Sequence, residues 1–289
     1  MKKKRIIQIT ILIIAFTVTN LFADPWKYSL NSNVLLTLNT FSESWSGGDA
    51  GSFNWSSQAI GAAEKNLSEK ISNRNTLKLA FGQSKTQDKT TKKWSIPVKS
   101  TDLIDFESLL KFSLGGFVDP FAAVNVLSQF TDLRDTATVR YFNQFDIKES
   151  FGAMRDIVKK DNTTWTSRLG ITVRQLLDRN NTDSMTNDGG IELVSELKTK
   201  NTSGNVQLTS TLKLYEALIS SASENAPNND WRHPHANWEN VLSFNVAKYI
   251  MFGVYVQLLY DKEINKSVRL KETVSLGLTY SFDGINVKK

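Results

Sequence analysis

From about residue 29 onward the chain alternates apolar and polar positions with a period of two, in segments of about ten to thirteen residues separated by polar stretches. A tilted strand of about this length crosses a bilayer. Twelve such segments can be drawn. The first covers about 29–41, with Val34, Leu36 and Leu38 on one face, and the second about 52–64, where Phe53 and Trp55 lead into small Ala59, Gly61 and Ala63. The third, about 74–85, sets Leu77, Leu79 and Phe81 against Lys78, Ala80 and Gly82. The fourth, about 103–114, sets Ile104, Phe106 and Phe112 against Asp105, Glu107 and Lys111, although Leu103, Phe106 and Leu110 also have helical spacing. Segments at about 121–131, 145–157, 165–176, 190–200, 206–216, 237–248, 251–262 and 274–282 complete the series. The segments at about 165–176 and 190–200 carry charge on one face only, as expected of strands with a lipid-facing and a lumen-facing side.

The last segment shows the pattern most cleanly. Val274, Leu276, Leu278, Tyr280 and Phe282 alternate with Ser275, Gly277, Thr279 and Ser281. The spacing of Ser275, Gly277, Tyr280 and Phe282 resembles the C-terminal signal by which outer-membrane barrels are recognised for assembly. The resemblance implies the barrel-assembly machinery as a partner. Asp283 to Lys289 continue the chain beyond Phe282.

The connections carry independent information, because a barrel with both termini in the periplasm alternates short inner turns with longer outer loops. Those at about 65–73, 115–120, 158–164, 201–205 and 249–250 are mostly short. Those at about 86–102, 132–144, 177–189 and 217–236 are long, and the eleventh, about 264–267, is short. Trp165, Tyr249, Tyr280 and Phe282 fall at the inner ends, and Tyr141, Trp238 and Tyr260 at the outer ends, where amphipathic rings suit a membrane interface. A soluble β-sandwich also alternates; strand length and loop rhythm favour the barrel. The fold expected is therefore all-β, a transmembrane antiparallel β-barrel of about twelve strands in a single domain over 24–289, monomeric and in contact with outer-membrane lipid.

The N-terminus supports the same destination. Lys2, Lys3, Lys4 and Arg5 precede an apolar run ending at Leu21, Phe22 and Ala23, the arrangement of a cleavable secretory signal peptide over 1–23. The apolar stretch, about 17 residues interrupted by Gln8, Thr17 and Asn20, is shorter than the ~20 residues of a spanning helix. Losing those four basic residues lowers the formal net charge from +6 to +2, which gives no electrostatic ground for nucleic acid as a partner. There is no cysteine, so neither disulfides nor lipid attachment to a cysteine at the cleavage site enter the picture.

The polar faces place Lys78, Asp105, Glu107, Lys111, Lys148, Arg168, Arg174, Glu192, Glu196, Lys198 and Lys213 toward the lumen. Mixed signs there either pair with one another in a filled interior or line a narrow pore for small solutes. The only histidines, His233 and His235, lie in the longest outer connection. Two imidazoles alone do not complete a metal site, and no cysteine or carboxylate cluster adjoins them in sequence. A phospholipase-like outer-membrane hydrolase would need one of them as base, yet no nucleophile elbow accompanies them. No cofactor motif is present. The role expected is a membrane scaffold or passive conduit and not an enzyme, with a solute pore, a hydrolase and a surface-binding protein acting through its long loops as alternatives.

At the first outward turn, Trp45-Ser-Gly47-Gly48 leads into an alternating strand, a Lys-rich segment ending Lys92-Lys-Trp94, and Leu127-Ser-Gln-Phe130. Together these resemble a family of uncharacterised bacterial outer-membrane proteins with a Trp-x-x-Gly-Gly signature, from about Asn31 to Asp132; this chain has one residue fewer between the tryptophan and the glycines. The family carries no established activity, so the resemblance implies fold and address and supplies no site residues.

Overall fold

The computed structural model describes residues 25–42, 50–135, 138–180, 184–221, 230–263 and 265–283. The segment 1–23 expected to be a signal peptide, the whole Trp45–Gly48 stretch and the tail beyond Asp283 lie outside the described residues. Twelve strands form one closed antiparallel barrel. They are β1 (Lys27–Asn39), β2 (Ser52–Ser68), β3 (Ile71–Thr86), β4 (Val98–Phe112), β5 (Asp119–Ser128) and β6 (Phe145–Lys160). The second half comprises β7 (Thr163–Asp178), β8 (Ser184–Lys200), β9 (Val206–Ser220), β10 (His235–Ala247), β11 (Ile250–Asp261) and β12 (Asn265–Asp283). Each strand pairs with its neighbours in sequence, and β1 pairs with β12 in a register that sets Leu30 opposite Phe282 and Leu35 opposite Gly277. This seam removes both sheet edges, so no row of unpaired backbone groups is left. Gly277 is required at the seam because a Cβ there would stand 2.3 Å from the Val34 carbonyl oxygen.

The closed ladder rules out a two-sheet sandwich and a helical fourth segment. Several strands run further than the apolar alternation. The expected long connection at 177–189 is instead five residues, 179–183, because polar Ser184–Gly190 extends β8. Likewise β12 starts at Asn265 instead of near residue 274. Backbone pairing continues past the membrane belt wherever a partner strand is in register, whereas hydrophobic alternation marks only the belt. The turns at the end carrying Lys27 and Asp283 are short: 69–70, 113–118, 161–162, 201–205 and 248–249. At the opposite end, called the loop end below, the segments 40–51, 87–97, 129–144 and 221–234 are long.

Outward rows are apolar and exposed. Val274, Leu276 and Leu278 on β12 are 59–66% accessible, and Leu169, Ile171 and Val173 on β7 and Leu36 and Leu38 on β1 are exposed in the same way. A continuous apolar exterior of this kind is untenable in water and natural in lipid. Among the described residues no helix is long and apolar enough to cross a membrane.

Candidate functional site

The interior is polar and its charges are paired across the bore. On β4 the inward row is Asp105, Glu107 and Lys111; on β7 it is Arg168, Thr172 and Arg174; on β8 it is Glu192, Glu196 and Lys198. The row assignment follows from the register, in which exposed Phe106 and Ile171 mark the outward rows. Arg168 makes a two-pronged bond to Glu107, reaching over β5 and β6, with Nη1 at 3.1 Å from Oε1. Lys213 of β9 meets Asp105 of β4 at 3.5 Å. Asp105 also accepts a 2.6 Å hydrogen bond from Asn125 and faces Lys78 in the β3–β4 register. Lys111 ties Asp119 at 3.1 Å and Asp156 at 2.7 Å, Lys148 lies 3.5 Å from Glu192, and Glu196 contacts Lys198 at 2.6 Å. Arg174 gathers Asp146 at 3.1 Å with Asp188 and Glu263 each at 3.6 Å. Sequence reasoning named Arg174 but not Asp146, Asp188 or Glu263, since partners on other strands leave no local signal.

Below these pairs Phe121, fully buried, packs with Ala123 and Met154. Its ring is admitted by Gly170, where a Cβ would stand 3.0 Å from the ring edge. The filling is eccentric. Buried inward side chains cluster on β5 to β9, whereas β1, β2, β10 and β12 carry none among the described residues. At mid-height the inward row of β12–β1–β2 is instead polar and mostly small, with Ser275, Gly277, Asn31, Asn33 and Gln58 solvent-accessible, and it carries charge toward its two ends, Lys27 and Glu64 at the short-turn end and Arg269 and Lys271 toward the loop end. Near the loop end Lys271 of β12 spans from this wall to β4, bonding the Ser100 carbonyl at 3.4 Å and the Thr101 hydroxyl at 3.1 Å.

Two further groupings close over the loop end. Trp231, in a single 3-10 turn at Asp230–Arg232, folds inward and is buried with Tyr215 and Ala217 of β9. Tyr215 stands edge-on to His235, ring centroids 5.9 Å apart, under the Lys148 ammonium at 4.6 Å. His235 Nδ1 lies 3.6 Å from Asp261 and Nε2 lies 3.4 Å from Glu263. His233 is directed elsewhere, with Nε2 at 2.6 Å from Lys262 Nζ. The two histidines therefore take different partners, and the carboxylates absent from their sequence neighbourhood arrive from the end of β11 and the β11–β12 turn. Burial pushes the Glu263 carboxyl above the usual carboxylate range, and Arg174 partly offsets this.

The second grouping locks segment 129–144. Arg134 bridges Asp132, at 2.6 Å, and Asp178, at 3.0 Å. The fully buried Asn143 amide donates to the same two carboxylates at 2.8 and 3.1 Å. The Arg134 hydrogen bonds hold the Asp132 carboxyl well below its ordinary range despite desolvation.

Of the residues in the C-terminal pattern, Ser275 and Gly277 face inward and Tyr280 and Phe282 outward; the Ser275 hydroxyl donates to the Gly253 carbonyl at 3.3 Å.

Residues 36–132, less than half of the chain, match a family described as a protein of unknown function, DUF3078. No curated protein matches the chain. Among solved structures it is similar to an outer-membrane channel from Pseudomonas putida F1, with 12% identity, 91% of this chain and 97% of that one covered, and a TM-score of 0.42. It is also similar to the translocator domain of the autotransporter NalP from Neisseria meningitidis, with 11% identity, 92% and 90% covered, and a TM-score of 0.34. A low-pH structure of Pseudomonas putida OprB has 9% identity, 89% and 93% covered, and a TM-score of 0.31.

Proposed function

We propose that the chain is a non-enzymatic outer-membrane barrel, exported by its N-terminal signal and inserted as a monomer, that conducts small hydrophilic solutes through a narrow off-centre path. The observation that carries this reading is the unequal filling of the lumen. Ion-paired side chains occupy the β4–β9 side, while at mid-height on the opposite wall the small polar side chains of Asn31, Asn33, Gln58 and Ser275 remain accessible to water. Wide passage is opposed by pairs that reach across the bore, since separating them exposes unpaired charge in a confined space. Flow is thereby confined to the β12–β1–β2 wall, with Lys271 reaching across it near the loop end.

Purified protein in a planar lipid bilayer should give small, discrete conductance steps. Substituting the accessible wall, for instance Asn33→Trp with Gln58→Trp, should reduce the steps while leaving the folded barrel intact on a gel. A folded preparation that shows no steps would leave the scaffold role in place of the conduit.

A further inference from the structure

We propose that His235, Asp261 and Glu263 form a binding site for one divalent metal ion of borderline character, such as zinc or cobalt(II), at the loop end of the lumen. One ligand atom from each of the three residues lies within 4.8 Å of the other two. The 3.4 Å between His235 Nε2 and Glu263 is already close to the separation of two ligands on a tetrahedral ion, about 3.3–3.5 Å for bonds of about 2.0–2.2 Å. One imidazole and two carboxylates, with a position left for water or solute, suit an N/O-preferring ion better than calcium or magnesium, which favour oxygen alone.

Strand pairing places two of the three groups. Ala236 pairs with Tyr260, so the register brings His235 opposite Asp261 on adjacent strands, and Glu263 follows in the turn. The surroundings are short of positive charge. Five carboxylates, Asp146, Asp188, Glu192, Asp261 and Glu263, gather with three cations, Arg174, Lys148 and Lys262, and Asp188, 5% exposed and sharing Arg174 with Glu263, keeps one carboxylate oxygen without a hydrogen-bond partner. On loading, Glu263 exchanges the guanidinium for the ion, and Arg174 retains Asp146 and Asp188.

The test is titration of untagged protein in detergent with cobalt(II), followed by visible absorption, and with zinc, followed by calorimetry. Both are readable whether or not the lumen conducts. The expected result is one ion per chain at micromolar affinity or tighter. His235→Ala and Glu263→Gln should each weaken binding about tenfold or more, and His233→Ala should leave it unchanged, with every variant migrating as a folded barrel. Absence of stoichiometric binding by the unaltered protein overturns the proposal, as does binding that survives His235→Ala or that disappears with His233→Ala.

Discussion

Arg168 and Glu107 show what a single charged residue does inside this barrel. Arg168 is almost wholly buried and its guanidinium also lies 5.7 Å from the Phe121 ring, so its charge is sustained by Glu107 and by little water. Arg168→Met should destabilise the protein, by up to about 3 kcal/mol, because half-buried Glu107 then loses its two-pronged partner and keeps only the more distant Lys213. Adding Glu107→Leu should recover most of the loss, measured by urea unfolding in lipid vesicles. Asp132 acts at the same scale outside the membrane. Its folded-state pKa is depressed, so its stabilisation is complete above the unfolded pKa and disappears only as pH falls through the lowered one. Segment 129–144 should resist limited proteolysis equally at pH 7 and about pH 4, whereas Asp132→Asn should open it at neutral pH. Equal resistance of that variant would show that the Arg134 bridge does not hold the segment. Neither partnership is visible along the chain, since Arg168 and Glu107 are 61 positions apart and Asp178 is 44 positions from Arg134.

A strand of this barrel is an element with two environments, and β12 separates them cleanly. Leu276 is outward and exposed, and Ser275 is inward beside small Gly253 and Gly277. Leu276→Arg should cost about 2–4 kcal/mol if it lies near the bilayer midplane. Ser275→Arg should cost far less, since its charge meets the aqueous lumen; refolding into vesicles of both variants measures the difference, and equal costs would refute the facing. Twelve strands were legible in the sequence because period-two alternation is a direct record of lipid on one side and polar interior on the other. The extensions of β8 and β12 were not: Ser184–Gly189 pairs through backbone groups with little apolar alternation, and in β12 Glu272 interrupts an outward row that Val268 and Leu270 otherwise continue.

For the molecule as a whole, orientation and openness decide function. Both ends of the barrel sequence, Lys27 and Asp283, lie at the end with short turns, and the long segments lie opposite. If that opposite end faces the exterior, an epitope inserted near Asn228 should bind antibody on intact cells and one in the Asp161–Asn162 turn should not. The reverse result would invert the barrel. Conduction depends on a property of the assembled lumen, the accessible β12–β1–β2 wall beside a filled β4–β9 side, which no strand possesses alone.

By itself the sequence determined the strand number, the alternation of faces and the membrane-crossing class, because each is set by local periodicity and by the lengths of polar breaks. Only the tertiary structure decided which charges meet. Lys213 reaches Asp105, Arg174 collects Asp146, Asp188 and Glu263, and His235 parts from His233 to join Asp261. Alternation assigns a side chain to the interior, but barrel closure and strand register set its height and its opposite number. Those depend on all twelve strands at once.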